Sequence, residues 1–339
     1  MTVLVLMLLS LSFSCGSKSD STTTASGGGG GTSAPKKQIA VIAKSVANVY
    51  WEAVHSGAQK AADEEGVEIQ WTGPASETEH VQQGNMVDNM VNSKVDGIVI
   101  APTNVDALVR PVESAVARGV PVVLIDSTLH SDKPSSVITT DNYAAGSQAA
   151  EALIAAMGTT HKFGGKVIML RFLEGSGSTE AREKGFADRI AREPGLTLSD
   201  QTYTKGAGTT TDAASTADAL LRRNMSPDNV LQADGIFGSN QQCATGMLDT
   251  IVKFKAQGDT ITAPFVGFDS SEELLGGVRD GKIAALVVQD PAKMGYLGVK
   301  TMVKLLKGEP VDAKIATATV TVTKANIDDP AIKAVTLQK

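Results

Sequence analysis

From Lys37 onward, short apolar runs rich in Val and Ile alternate with segments of helical spacing. The runs fall at 39–43, 67–71, 96–101, 121–126, 166–172, 234–238, 264–268 and 283–289. Each is of strand length, and most are nearly continuous rather than alternating, the mark of strands covered on both faces. Between them, Trp51, Val54, Ala58 and Ala61 share one helical face, and Gly66 ends it. Leu108, Val112, Ala115 and Val116 repeat the arrangement before Gly119 and Pro121, and Ala149, Leu153, Ala156 and Met157 run to Gly158. Glycine suits such ends because the left-handed conformation costs it no strain. The alternation predicts an α/β protein whose parallel sheets are clothed by helices. A single sheet would need about ten strands, the upper end for an open twisted sheet, so two sheets of five or six fit better.

A repeated phrase agrees. Residues 121–127 read P-V-V-L-I-D-S and residues 264–270 read P-F-V-G-F-D-S, and each follows an earlier Asp-Gly-Ile, at 96–98 and 234–236. Both apolar runs end abruptly in an aspartate. An ionised carboxylate is too costly to leave unpaired in a core, so Asp126 and Asp269 are expected at strand exits, facing solvent or a ligand. Ligands of open parallel sheets sit at the carboxyl ends of the strands. Polar residues follow most of the runs: Ser45, Asn48, Tyr50 and Trp51; Thr103 and Asn104; Asp126 and Ser127; Glu174, Ser176, Ser178 and Arg182; Ser239, Asn240 and Gln241; Asp269; Gln289 and Asp290. Taken singly, each is commonly a strand-end or helix cap. Together they suit a neutral polyhydroxylated ligand, because planar Asp, Asn and Arg groups can each hold two neighbouring polar atoms. Aromatics make up only 4% of the chain, so adjacent Tyr50 and Trp51 stand out as a platform for an apolar ring face.

Composition removes several classes. The net charge is −6 and no long Lys/Arg run occurs, which gives no reason to expect nucleic acid. Residues 1–15 read as the apolar core of a secretion signal, too short to span a bilayer. Ser12-Phe13-Ser14-Cys15 resembles a bacterial lipobox with Cys15 as the lipidated residue. Ser12 stands where Leu is usual and a positive start is missing, so plain secretion is the alternative. Residues 16–35 are mainly Ser, Thr and Gly, a flexible tether reaching roughly 25 Å. Cys243, the remaining thiol, has no disulfide partner within a mature chain and is expected to be a buried small residue.

The ordered motifs N-V-Y-W at 48–51, S-G-A-Q-K-A-A at 56–62, D-G-I-V-I-A-P at 96–102, V-P-V-V-L-I-D-S at 120–127, T-D-N at 140–142, E-A-R-E-K-G-F at 180–186, V-G-F-D-S-S at 266–271 and Q-D-P at 289–291 carry a resemblance. Over residues 38 to about 325 the chain resembles periplasmic sugar-binding proteins of the ribose and galactose type, the substrate-binding subunits of ABC importers. The resemblance implies the type I periplasmic binding protein fold, two doubly wound parallel-sheet lobes joined by a three-strand hinge. It divides the chain into one lobe from 36–140 with 290–318 and another from 141–289 with 319–339, with crossings near Thr140, Gln289 and Ala318. It implies a ligand set of Asn48, Tyr50, Trp51, Asp126, Ser127, Ser176, Ser178, Arg182, Asn240, Asp269 and Gln289. Ser176 and Ser178 stand where the galactose-type pattern has His and Asp, Ser127 where ribose binders carry Arg, and Val49 where Pro is usual. The implied protein is a monomer, exported to the periplasm or the outer face of the cell membrane, held to the membrane only through a lipid anchor. Its implied partners are a sugar or polyol and a membrane permease, with no cofactor and no metal.

Other classes fare worse. No G-x-x-x-x-G-K-[ST] loop or G-x-S-x-G elbow is present, Gly206-Ala207-Gly208 lacks the third glycine of a dinucleotide fingerprint, and His55, His80, His130 and His161 show no metal spacing. A glycosidase pair needs one carboxyl with a raised pKa in an apolar niche, and both aspartates are expected among polar groups. A repressor with this core would need a helix-turn-helix before residue 60. A lipoprotein that presents its sugar-bound form to a chemoreceptor or sensor kinase shares every feature above and stays open as the second function.

Overall fold

The run after Lys37 becomes β1 (Gln38–Ile42), whose Ile39, Ala40, Val41 and Ile42 are wholly buried. The structure, a computed structural model, describes residues 35–336. The signal-like start with Cys15 and all of the tether but Pro35 lie outside the described residues. From β1 the chain continues through α1 (Val49–Glu65), β2 (Glu68–Thr72), α2 (His80–Asn92), β3 (Gly97–Ile100), α3 (Val109–Ala117), β4 (Val122–Ile125) and β5 (Ser136–Thr140). Then come α4 (Asn142–Met157), β6 (Lys166–Arg171), α5 (Gly177–Arg192), β7 (Thr197–Tyr203), α6 (Thr210–Arg223), β8 (Gly235–Gly238) and α7 (Gln241–Ala256). The chain finishes with β9 (Phe265–Phe268), α8 (Glu272–Arg279), β10 (Ala285–Val288), α9 (Pro291–Leu306), β11 (Lys314–Thr317), β12 (Val320–Val322) and α10 (Pro330–Val335).

These strands form two six-stranded sheets, ordered β11-β5-β4-β3-β1-β2 and β12-β10-β9-β8-β6-β7. Every pairing is parallel except β10 with β12. Alternate residues feed separate cores on the two faces: Ile39 and Val41 pack with α1 and α9, Ala40 and Ile42 with α2 and α3. The second sheet repeats this layering with its own two cores. Both sheets thus have the expected size and the expected, almost wholly parallel, pairing. The apolar pattern did not reveal β5, β7, β11 and β12. Edge strand β7 (Thr-Leu-Ser-Asp-Gln-Thr-Tyr) alternates exposed with half-buried positions, edge strand β11 (Lys-Ile-Ala-Thr) is mostly exposed or half-buried, and β12 has only three residues.

The chain passes between the sheets after β5, after β10 and after β11. The three crossings are joined by side chains: the Thr140 hydroxyl lies 2.8 Å from Gln289 Oε1 and 3.2 Å from the Thr317 hydroxyl. Each half also packs two helices unusually closely. A Cβ at Gly57 would lie 1.8 Å from the Ala292 carbonyl oxygen, and one at Gly295 2.0 Å from that of Val54, so α1 and α9 meet backbone to backbone. Gly146 and Gly185 do the same for α4 and α5, where a Cβ at Gly146 would meet the Arg182 carbonyl oxygen at 1.8 Å. That contact fixes where Arg182 leaves its helix.

Candidate functional site

The two repeated aspartates have the same local structure. Asp126 ends β4 with φ +62° and Asp269 ends β9 with φ +66°. Each donates its backbone N–H to the adjacent strand, Asp126 to the Ile138 carbonyl and Asp269 to that of Val287, both at 2.8–2.9 Å. The left-handed conformation costs a non-glycine residue of order 1–3 kcal/mol, and Asp is among the side chains that tolerate it best. The turn places both carboxyls on the wall of a small polar space between the two sheets' strand ends.

The wall is drawn from both halves: Lys44, Asn48, Tyr50, Trp51, Glu77 and Asp126 from one, Phe172, Ser178, Thr179, Arg182, Asn240, Gln241, Gln242, Asp269 and Gln289 from the other. Asn48 and Asn240 cap helices as well as facing the space. Asn48 Oδ1 accepts from Trp51 N at 3.2 Å and Asn240 Oδ1 from Cys243 N at 3.0 Å, while the Asn240 NH2 donates to Gln242 Oε1 at 2.8 Å. The rings of Tyr50 and Trp51 meet edge to face, 5.0 Å between centroids. Tyr50 donates its hydroxyl to Asp126 Oδ1 at 2.8 Å.

Arg182 is buried, with its guanidinium carbon 3.5 Å from the centroid of the Phe268 ring. One of its terminal nitrogens donates to the Ser239 carbonyl and the other to Asn142 Oδ1, each at 2.7 Å. Its Nε and the Gln241 Oε1 are buried without a partner, one unsatisfied donor and one unsatisfied acceptor. Asp269 accepts from Gln289 Nε2 at 2.7 Å and from Gln241 N, at the start of α7, at 3.2 Å. An ionised carboxylate can accept about four hydrogen bonds, so Asp269 keeps two places open.

Asp126 is more heavily engaged. Besides Tyr50 it meets Lys44 Nζ at 2.7 Å and accepts from the hydroxyls of Ser127 at 3.1 Å and Ser178 at 3.3 Å. The two aspartates therefore titrate apart. Burial pushes the Asp126 carboxyl up, but Lys44, Tyr50 and Arg182 outweigh it and hold its pKa below the usual value. At Asp269 burial prevails over Arg182 and Gln289, and the pKa is raised. The expectation that neither carboxyl would be raised is corrected at Asp269, because the nearest cation to a carboxyl, Lys44, belongs to Asp126. Burial also drives the Tyr50 hydroxyl far up and takes the Cys243 thiol to about 12.

Two expected wall residues are elsewhere. Ser127 and Ser176 do not line the space; both are buried, with their hydroxyls turned to Asp126 and Lys44 respectively. Asn104 makes a turn with the backbone of Asp106 and Ala107, and Thr103 bonds Gln83. Five wall residues were missed: Lys44, Glu77, Phe172, Thr179 and Gln242. Lys44 directly follows the first apolar run, the place of a ligand group, but a strand-end lysine ordinarily reaches solvent. Glu77 comes from the loop after β2, accepts from Trp51 Nε1 at 3.1 Å, and has its pKa raised by burial. The exit of the run at 67–71 was the one signal that would have pointed to it.

A family model described as a periplasmic binding protein domain matches residues 39–310. The chain is similar to the ribose import binding protein of Bacillus subtilis, with 28% identity over 289 residues that span 84% of this chain and 87% of that protein. Among solved structures, it is similar to a carbohydrate transporter solute binding protein from Agrobacterium radiobacter in complex with D-arabinose. Identity there is 37% and the TM-score 0.81, over 89% of this chain and 99% of that one. An ABC transporter solute binding protein from Agrobacterium vitis with bound D-fucose gives 38% and 0.80, over 88% and 99%.

Proposed function

This chain belongs to the periplasmic binding protein family, and from that premise we propose that it captures a neutral monosaccharide or polyol for an ABC importer. The observation that carries the reading is the polar wall drawn from both halves, two of whose residues, Arg182 and Gln241, each keep a buried polar atom without a partner, Nε and Oε1. The wall offers open acceptors on Asp269 and Gln241 and donors on Arg182 and Asn48. Hydroxyls, each donor and acceptor, match that mixture. Lys44 is already taken up by Asp126, so no unengaged ammonium remains for an acidic sugar. No covalent step is called for.

The mechanism is a hinged clamp. We take 36–140 with 290–318 as one moving body and 141–289 with 319–339 as the other. A ligand that bonds to Asn48 and Trp51 on one side and to Arg182 and Asp269 on the other favours the shut form, because only there are both sets of bonds made. The shut surface is what a permease reads. Family membership makes this an exported, periplasmic protein. The lipobox-like Ser12–Cys15 and the Gly/Ser stretch behind it support a tether to the membrane through Cys15. Among the described residues no helix is long and apolar enough to cross a membrane.

A thermal-shift panel of pentoses, hexoses, 6-deoxyhexoses and polyols tests the assignment. A true ligand at 100 times its Kd adds about 2.7 kcal/mol, a rise of several degrees in melting temperature. A flat response across the whole panel refutes a neutral sugar or polyol.

Affinity should also depend on pH in a particular direction. Asp269 must be ionised to accept two ligand hydroxyls, and its raised pKa brings protonation on above the usual carboxylate range. In that mildly acidic window affinity falls. The ligand-free protein loses no stability there from this group. A raised folded-state pKa means the native state holds the proton more tightly than the unfolded chain, so acidification through it stabilises the fold. Asp126, with a lowered pKa, gives stability that is present above the unfolded value and lost only as pH falls through the lower folded one. Calorimetric titrations beside melting curves across pH 4–7 check this: affinity should drop while the ligand-free melting temperature holds.

A further inference from the structure

We infer that Lys44 is a positioning residue that latches the two halves of the clamp together through Asp126, and that Ser127, Ser176 and Ser178 serve this latch rather than the sugar. The inference rests on the clamp reading above. Lys44 is 2% exposed and its ammonium has three hydrogens. One meets Asp126 Oδ2, in its own half, at 2.7 Å. The others face the opposite half, at 2.9 Å from the Ser178 hydroxyl and 3.4 Å from that of Ser176, so no hydrogen is left for a ligand. Ser178 returns its hydroxyl to Asp126 Oδ2 and its backbone N–H to Ser127 Oγ at 3.2 Å. An ion pair from one half is thus bonded to the first residues of α5 in the other.

The same edge is closed by backbone. Val105 N donates to the Gly175 carbonyl at 3.1 Å across the halves. A Cβ at Gly177 would come within 2.6 Å of Val105 Cγ1 and 3.2 Å of the Thr128 hydroxyl, so α5 approaches this closely only because that position is glycine. These bonds join residues of opposite halves, and a hinge opening breaks all of them while leaving Lys44 beside Asp126. The latch therefore adds to the shut form whether or not a ligand is present. Bulky or charged groups at 127, 176 and 178 would displace it.

Three variants test this: Ser178→Ala, Lys44→Met, and Gly177→Ala, which puts a wedge at the edge without touching the ligand wall. Spin labels at Val81→Cys and Val252→Cys, exposed on α2 and α7, report the distance between halves in the full chain carrying Cys15→Ser, since Cys243 is buried. The latch requires the ligand-free distance distribution to shift toward open in all three variants. It requires affinity for the panel sugar to fall roughly tenfold, the scale of one lost hydrogen bond to a charged group. The Lys44→Met, Ser178→Ala double variant should be little worse than the weaker single. Unchanged distributions with additive affinity losses would make Lys44 and Ser178 ligand contacts and end the latch alone. A parent protein that no sugar closes overturns the clamp, and the latch with it; its melting response to the panel separates the two failures.

Discussion

Replacing Asp269 by Asn should weaken sugar binding about 100-fold while leaving the fold intact. The carboxylate accepts from Gln289 Nε2 and from Gln241 N, and its remaining lone pairs face the interlobe space. An amide has one oxygen and one NH2. Whichever way it turns, its NH2 must face a protein donor or the place where a ligand hydroxyl donates. Losing hydrogen bonds to a charged group costs about 1.5–3 kcal/mol, which is tenfold to more than a hundredfold in Kd. Asn is the informative substitution because it also tolerates the left-handed backbone at this position, φ +66°. Ala there should add backbone strain and lower the melting temperature as well. Calorimetry on Asp269→Asn, with the melting curve alongside, separates the two effects. Sugar binding at parental strength in Asp269→Asn would remove this residue from the ligand set. The equivalent change at Asp126 should act differently, because its oxygens are mostly occupied by Lys44, Tyr50, Ser127 and Ser178.

Arg182→Met should cost both binding and stability. The side chain keeps its length and apolar contact with Phe268 but loses the stacked guanidinium, 3.5 Å from that ring's centroid. The Ser239 carbonyl and Asn142 Oδ1 lose their donors in a buried site. Each stranded acceptor costs about 1–3 kcal/mol, so the ligand-free melting temperature should fall by several degrees. Binding should weaken by about 100-fold or more, since Nε, the unpartnered donor, also disappears. Arg182 holds the Asp269 carboxyl down. Without it, the acid loss of affinity should begin at higher pH than in the parent. Arg182→Lys keeps the charge but cannot fork between two acceptors, and should fall between the two. A melting temperature equal to the parent's would show that the guanidinium does not hold α5 to its neighbours.

Much of this protein was legible locally. The near-continuous apolar runs at 39–43, 121–126 and 264–268 are strands because only burial on both faces tolerates them. Gly66 and Gly158 end helices because they take φ +66° without strain. The doubled Pro-x-Val-x-x-Asp-Ser marked two matching strand exits, since an aspartate cannot continue a buried run. Strands β7, β11 and β12 were not legible, because an edge or a three-residue pairing needs no apolar run.

What the tertiary structure alone decided is which side chains meet. Lys44 and Asp126 leave β1 and β4, two strands apart in the sheet, and nothing near either residue states that order. Their meeting spends most of Asp126 on the protein and turns Ser127 and Ser176 from the cavity wall. Asp269 has the same motif and the same backbone but no lysine beside it, so burial raises its pKa where its twin's is lowered. A motif determines where a carboxyl leaves its strand. The charge it meets there depends on long-range packing, and that is what makes the two halves of the repeat unequal.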